Sequence, residues 1–172
     1  MRDWFIEQLS VYAAYHRDRR NQATHHVGVP LIVYALLVAL TQVAFPPIAG
    51  FHVSGATMAL VLLLGFYLIN VPLIGAVATL IYGVLYTLAA QVGVENASYV
   101  WSTFAICFIG GWIIQFVGHA FERRRPALFS NAIQIFMAPP FLIAELLFAA
   151  GLEQELAREI DVRHKKYLPL SG

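Results

Sequence analysis

Of the 172 residues in this chain, 59% are hydrophobic and 12% charged, and the mean hydropathy is +0.68; a soluble domain carries about 25% charged residues, so an ordinary water-soluble protein is excluded. The formal net charge of +1 argues equally against nucleic-acid binding, which needs a basic surface. The length sets a prior of one domain, and Cys107, the single cysteine, cannot form an internal disulfide.

The charges are confined to short stretches. No Asp, Glu, Lys or Arg occurs from Asn21 to Val94, from Asn96 to Phe121, or from Pro126 to Ala144. A helix crossing the bilayer core takes about 20 apolar residues, so the first run has room for three spans and the second for one. The N-terminus, Met1-Arg2-Asp3-Trp4-Phe5, lacks the apolar core and small-residue cleavage site of a signal peptide, and the first span is expected to be retained.

In chain order, Trp4, Phe5, Leu9, Tyr12, Ala13 and His16 recur at helical spacing and predict an amphipathic surface helix over residues 1–20. A first span follows over roughly 27–45, with Pro30 near its first turn, where proline is tolerated. Pro46-Pro47-Ile48-Ala49-Gly50 predicts a tight loop. Spans over roughly 56–69, 73–92 and 100–118 come next, the first two separated at Asn70-Val71-Pro72. Glu122-Arg123-Arg124-Arg125-Pro126 is a polar loop; residues 132–150 form a fifth apolar segment with Pro139-Pro140 at its middle; residues 153–172 are a charged, helically patterned tail. The expected fold is all-α: an integral membrane helical bundle of four transmembrane helices, the N-terminal amphipathic helix and a Pro-broken fifth segment. It forms a single membrane domain over 1–172, with membrane segments over 27–150.

Lysine and arginine cluster at Arg17, Arg19 and Arg20, at Arg123–Arg125, and at Arg158, Arg163, Lys165 and Lys166, whereas the loops near Pro46 and Asn96 have none. The positive-inside rule puts all three clusters in the cytoplasm. Four spans between the first two clusters agree with this. The fifth segment then must not cross fully, and two consecutive prolines, which remove helical hydrogen bonds, suit a broken, re-entrant or surface-lying segment.

Under this topology four of the six histidines, His16, His25, His26 and His119, share the cytoplasmic face, while His52 lies opposite and His164 in the tail. His16 and His25 are nine residues apart, which at about 100° per residue puts them on opposite faces of one straight helix. They meet only if the chain turns between them, and Asp18 to Asn21 offers turn and cap residues. Asn21 and His25 then stand one turn apart. On the fourth span Trp112, Gln115, His119 and Glu122 share a face, and His119 with Glu122 repeats, in reverse, the carboxylate–histidine spacing of di-iron bundles. Imidazole and carboxylate suit Fe, Zn, Cu or Ni, with Gln115 and Asn21 available to orient the ligands. The residues alone leave two readings open: a metal site, or histidines that merely anchor helices at an interface. Arg123–Arg125 likewise read as a topology signal or as partners of a carboxylate or lipid phosphate.

Two blocks carry a family resemblance: Tyr12-x-x-Tyr15-His16-x-Asp18-x-x-Asn21-x-x-x-His25-x-x-Gly28-Val29-Pro30, and Trp112-x-x-Gln115-Phe116-Val117-Gly118-His119-x-Phe121-Glu122-x-Arg124-x-Pro126-Ala127-Leu128, continued by Asn131 and Pro139. Both resemble the motifs of the 2-hydroxy fatty acid dioxygenases, small membrane proteins of fatty acid α-oxidation. The resemblance implies an Fe(2+)-dependent enzyme that uses O2 to shorten a long-chain 2-hydroxy fatty acid by one carbon, as fungal members do in the endoplasmic reticulum during breakdown of the sphingolipid base phytosphingosine. It implies His16, His25 and His119 as the iron ligands, with His26, which adjoins the motif histidine, substituting or assisting, and with Asp18, Asn21 and Gln115 around them. Glu122 and Arg124 are the catalytic candidates, Arg124 as the residue that neutralises the substrate carboxylate. His119-Ala120-Phe121-Glu122 is one residue shorter than the fungal pattern. The compact chain favours a bacterial inner membrane, or the endoplasmic reticulum if the source is eukaryotic, with membrane lipids as neighbours.

Three other readings compete. A small transporter needs polar residues along a mid-membrane path, and Thr41, Gln42, Asn70, Thr79 and Thr87 are few. A non-catalytic scaffold or lipid-binding protein accounts for the hydrophobicity and basic loops but not for the histidine motifs. A bis-histidine haem protein would be recognised by its Soret absorbance.

Overall fold

The computed structural model describes residues 1–48, 50–122 and 131–168. Helix α1 covers Arg2–Tyr15, with Asp3 in its first turn, where a carboxylate faces the positive end of the helix dipole. It ends as His16 leaves the helical region (φ −130°, ψ 72°). Asp18 then caps the next helix, accepting the Arg20 N–H at 2.8 Å on Oδ1 while its carbonyl accepts the Gln22 N–H. Arg20 beside Asp18 holds that carboxyl down to about 2.

Helix α2 runs Arg19–Thr41. It begins well before the expected first span, so Pro30 lies in its interior and not in a first turn; the missing N–H leaves the His26 carbonyl without its intrahelical donor. Strands β1 (Ala44–Ile48) and β2 (Phe51–Ser54) pair antiparallel. Pro46 and Pro47 do not make the turn, as expected from sequence, but lie inside β1, where the register is irregular between Phe45 and Ile48. A two-stranded ribbon has only edge strands, and an irregular edge is where proline's missing donor is tolerated. Gly50, at φ +81°, supplies the reversal.

Ser54 opens α3 (Gly55–Asn70) with a capping box, its hydroxyl accepting from Thr57 N–H. Val71 alone links α3 to α4 (Pro72–Gly93), which starts on a proline. These two helices approach closely at Gly75, where a Cβ would lie 2.6 Å from the Leu68 nitrogen. Helix α5 spans Ala97–Glu122. Helix α6 covers Gln134–Ala149, α7 covers Gln154–Arg163, and a final 3-10 turn covers His164–Tyr167.

The fifth apolar segment is broken, but not at its prolines. Helix α6 continues through Pro139 and Pro140, both buried. Their missing donors release only the carbonyls of Ile135 and Phe136 at the start of the helix, and the ladder beyond is intact. The break comes after Ala149: Gly151 (φ +80°) and Glu153 (φ +52°) adopt left-handed conformations, and the axis bends by 120° into α7.

Two compact units are present. One comprises Val27–Ile113 and holds the hairpin, α3, α4 and most of α2 and α5. The other joins Met1–His26 to Ile114–Gly172. In it α1 packs against α6, α7 and the closing turn, and Phe5 and Leu9 are fully buried. The apolar face of α1 therefore meets protein. The tail is docked as well. Arg163 pairs with Asp3, Glu7 and Glu159, and the Tyr167 hydroxyl donates to Glu7.

Among the described residues, three helices are long and apolar enough to cross a membrane: α2, α4 and α5. The bent pair made of α6 and the segment Gln154–Tyr167 is a fourth candidate. Helix α3 is apolar but only 16 residues long, about 24 Å of helix against a hydrocarbon core of about 30 Å.

Candidate metal centre

Three chain segments of one unit bring His16, His25 and His119 together. His16 follows the last turn of α1, His25 lies in the second turn of α2, and His119 stands near the end of α5. The break at His16–Asp18 reverses the chain and lets the first two face each other. Side by side, α2 and α5 are held close by a glycine notch: a Cβ on Gly118 would fall 2.0 Å from Thr24 Oγ1 and 2.5 Å from Asn21 Oδ1.

The three imidazoles are buried, with exposures of 4%, 2% and 7%. Their centroids are 4.6 Å (His16–His25), 5.2 Å (His16–His119) and 4.9 Å (His25–His119) apart, each pair edge to face. One ring nitrogen from each lies within 4.8 Å of the other two, and this is the only such group of metal-ligating side chains among the described residues.

Hydrogen bonds fix two of the rings. His16 Nδ1 is 2.8 Å from the Tyr12 carbonyl, and His25 Nδ1 is 2.9 Å from the Asn21 carbonyl. A carbonyl only accepts, so both Nδ1 atoms carry the proton, and in the neutral imidazole both Nε2 atoms keep a lone pair. That is the tautomer a metal-binding histidine needs, oriented through its other nitrogen. Tyr12 also stacks on His16, centroids 3.9 Å apart and planes 12° from parallel, and its ring meets Phe141 of α6 at 4.9 Å. Buried imidazoles with committed Nδ1 protons fit a resident metal ion by donor chemistry.

The other candidates lie around this group. Glu122 does not join it; its Oε2 accepts from Arg17 N–H (3.0 Å), Asp18 N–H (2.8 Å) and Asn21 Nδ2 (3.1 Å). Asn21 is fully buried; its side chain donates to Glu122, while its carbonyl serves both His25 and the Thr24 hydroxyl. Gln115 is buried on α5 one turn before His119. His26, next to His25, points elsewhere and pairs with Glu145 of α6, Nε2 to Oε2 at 3.4 Å. Asp18 caps α2 and is ion-paired to Arg20 at 2.7 Å. His52 is exposed on β2, and His164 is part of the closing turn. Arg124 lies outside the described residues.

Sequence reasoning missed Tyr12 as the residue that orients His16. Its i−4 spacing to His16, the same as that of Asn21 to His25, was the available signal. It also missed Glu145 as the partner of His26, for which an isolated acid in an apolar run was the only hint.

A family model described as 2-hydroxy-palmitic acid dioxygenase Mpo1-like matches residues 3–150 of the chain. The 2-hydroxy-palmitic acid dioxygenase MPO1 of Saccharomyces cerevisiae is 31% identical to it over 166 residues, with 92% of this chain and 90% of that protein covered. No solved structure matches significantly.

Proposed function

The chain belongs to the Mpo1-like family of 2-hydroxy-palmitic acid dioxygenases, and from that membership we propose that it is an Fe(II)-dependent dioxygenase shortening long-chain 2-hydroxy fatty acids by one carbon, with O2 as co-substrate. One observation carries the reading: three buried imidazoles, one just past α1 and the others on α2 and α5, lie close enough to share one ion. His16, His25 and His119 would hold the metal. Fe(II), when bound, supplies the oxygen chemistry that amino-acid side chains lack, and three neutral imidazoles leave further coordination positions open.

The protein's own groups do the rest. Tyr12 and Asn21 hold two imidazoles in the ligating tautomer through their carbonyls. Burial keeps bulk water from the site. Arg124 meets the substrate carboxylate, for which a guanidinium fork is matched. The fatty alkyl chain is accommodated by apolar surface of the kind a membrane protein offers. As a single membrane domain the chain crosses with α2, α4 and α5 and with the shorter α3, which spans by local thinning of the bilayer, and the bent α6–α7 pair returns to its side of entry. The basic clusters and the histidines then face the cytoplasm, with a bacterial inner membrane as the setting.

The test uses detergent-purified protein, elemental analysis, and His16→Ala, His25→Ala and His119→Ala variants, each supplied with a long-chain 2-hydroxy fatty acid and Fe(II) in air. Stoichiometric iron that is lost in the variants, with an acid one carbon shorter as product, is the expected result. Folded wild-type protein with neither metal nor turnover would remove the dioxygenase reading and bring the scaffold reading forward.

A further inference from the structure

Three N–H groups converge on one oxygen of Glu122. Two are backbone amides of Arg17 and Asp18, at 3.0 and 2.8 Å, and they fall between α1 and α2, where no helical ladder can satisfy them. The third is Asn21 Nδ2 at 3.1 Å, from a residue with no exposed surface. Two of the donors are tied to a histidine. Arg17 directly follows His16, and the Asn21 carbonyl receives the His25 Nδ1 proton. Glu122 itself stands three residues past His119 on α5. The turn it binds is braced further, since the Arg20 guanidinium lies 4.6 Å over the Phe121 ring.

We propose that Glu122 is a positioning residue, a latch that fastens the α1–α2 turn to the end of α5 and so seats His16 and His25 against His119, and that it is not itself a ligand. This rests on the reading of the three histidines as a metal centre. Three donors saturate Oε2, and the group of side chains close enough to share one ion is His16, His25 and His119 without Glu122. The latch needs an acceptor at full side-chain reach; it does not need a charge at the metal. That distinction separates it from a ligand or an acid–base group.

The experiment compares Glu122→Gln, Glu122→Asp and Glu122→Ala in the full-length protein, with Co(II) as the metal probe. The glutamine carbonyl keeps an acceptor at the same reach, whereas aspartate keeps the charge but withdraws it by about 1.5 Å, one carbon–carbon bond. The latch predicts wild-type Co(II) affinity and visible spectrum within about threefold for Gln, and losses of about 10- to 100-fold for Asp and Ala, the usual cost of removing a partner that orients ligands. The reverse ranking, with Asp retained and Gln lost, would overturn the proposal. Hydrogen exchange on metal-free protein gives an independent measure. The Arg17 and Asp18 amides should be protected in wild type and Gln and exchange at least about tenfold faster in Ala, with the α5 amides unchanged. Equal protection in Ala would also overturn it. Wild-type protein that protects these amides yet binds no Co(II) would refute the metal centre while leaving the turn's attachment to Glu122 standing.

Discussion

Replacing Gly118 with alanine sets two effects of known size against each other on one helix. A glycine in a helix interior costs about 1 kcal/mol relative to alanine, so the substitution should stabilise α5 by that amount if space allows. The space is occupied: the new Cβ would fall 2.0 Å from Thr24 Oγ1 and 2.5 Å from Asn21 Oδ1. Neither atom can swing away cheaply. The Thr24 hydroxyl is held by the Asn21 carbonyl at 2.7 Å, and the fully buried Asn21 is held by Glu122. Overpacking of this kind costs about 1–3 kcal/mol, so the net effect is destabilising by up to about 2 kcal/mol. It is felt where α2 carries His25 past His119, and Co(II) affinity should fall about tenfold, equivalent to about 1.4 kcal/mol. Gly110→Ala on the same helix is the control, because a Cβ there meets nothing within 4 Å and only the propensity gain remains. Thermal melts and Co(II) titrations of the two variants decide the matter. A Gly118→Ala protein as stable as Gly110→Ala, with unchanged metal affinity, would refute the close approach of α2 and α5 at this notch.

His26→Ala should keep the full metal content, because His26 pairs with Glu145 and not with the three-histidine group; a fall in stoichiometry would place it among the ligands. Tyr12→Phe retains the ring stacked on His16 and should bind Co(II) as wild type does. Tyr12→Ala should weaken binding between about twofold and tenfold, the worth of an aromatic pair, and an unchanged titration would deny the stack any part in holding His16. Glu7 is held below its ordinary value of 4.5, first by the Tyr167 hydroxyl and then by Lys166 and Arg163. A depressed carboxyl stabilises above its unfolded value and loses that contribution as pH falls through the folded one. The C-terminal helix should therefore stay docked at neutral pH and loosen below 4.5, as read by hydrogen exchange at Leu156 and Ile160, and Glu7→Gln should remove that pH dependence.

The proximity of His16 and His25 was legible because nine residues of continuous helix would part them, and Asp18 to Asn21 stood where a turn and a cap could rejoin them. The apolar runs likewise announced α2 to α5, since charge-free stretches of that length have few uses outside a bilayer. Other features escaped for physical reasons. Proline reads as a breaker from its own missing donor, yet Pro139 and Pro140 cost only two carbonyls near a helix start, and the real break lay in the left-handed residues at Gly151 and Glu153. The partners of Glu122 are mostly backbone amides in a distant loop, and backbone groups leave no mark in residue types. The docking of α7 and the closing turn on α1 through Arg163 and Tyr167 joins the two ends of the chain, a pairing that no local pattern encodes.

The unit that holds the histidines is discontinuous, and the whole of Val27–Ile113 is inserted between His25 and His119. During synthesis the first two imidazoles emerge as an incomplete pair, and the third follows only after that insertion has been made. At about 5–20 residues per second this is an interval of seconds in which any passing ion meets two donors instead of three. A metal held by all three histidines would therefore be bound only once α5 has been translated.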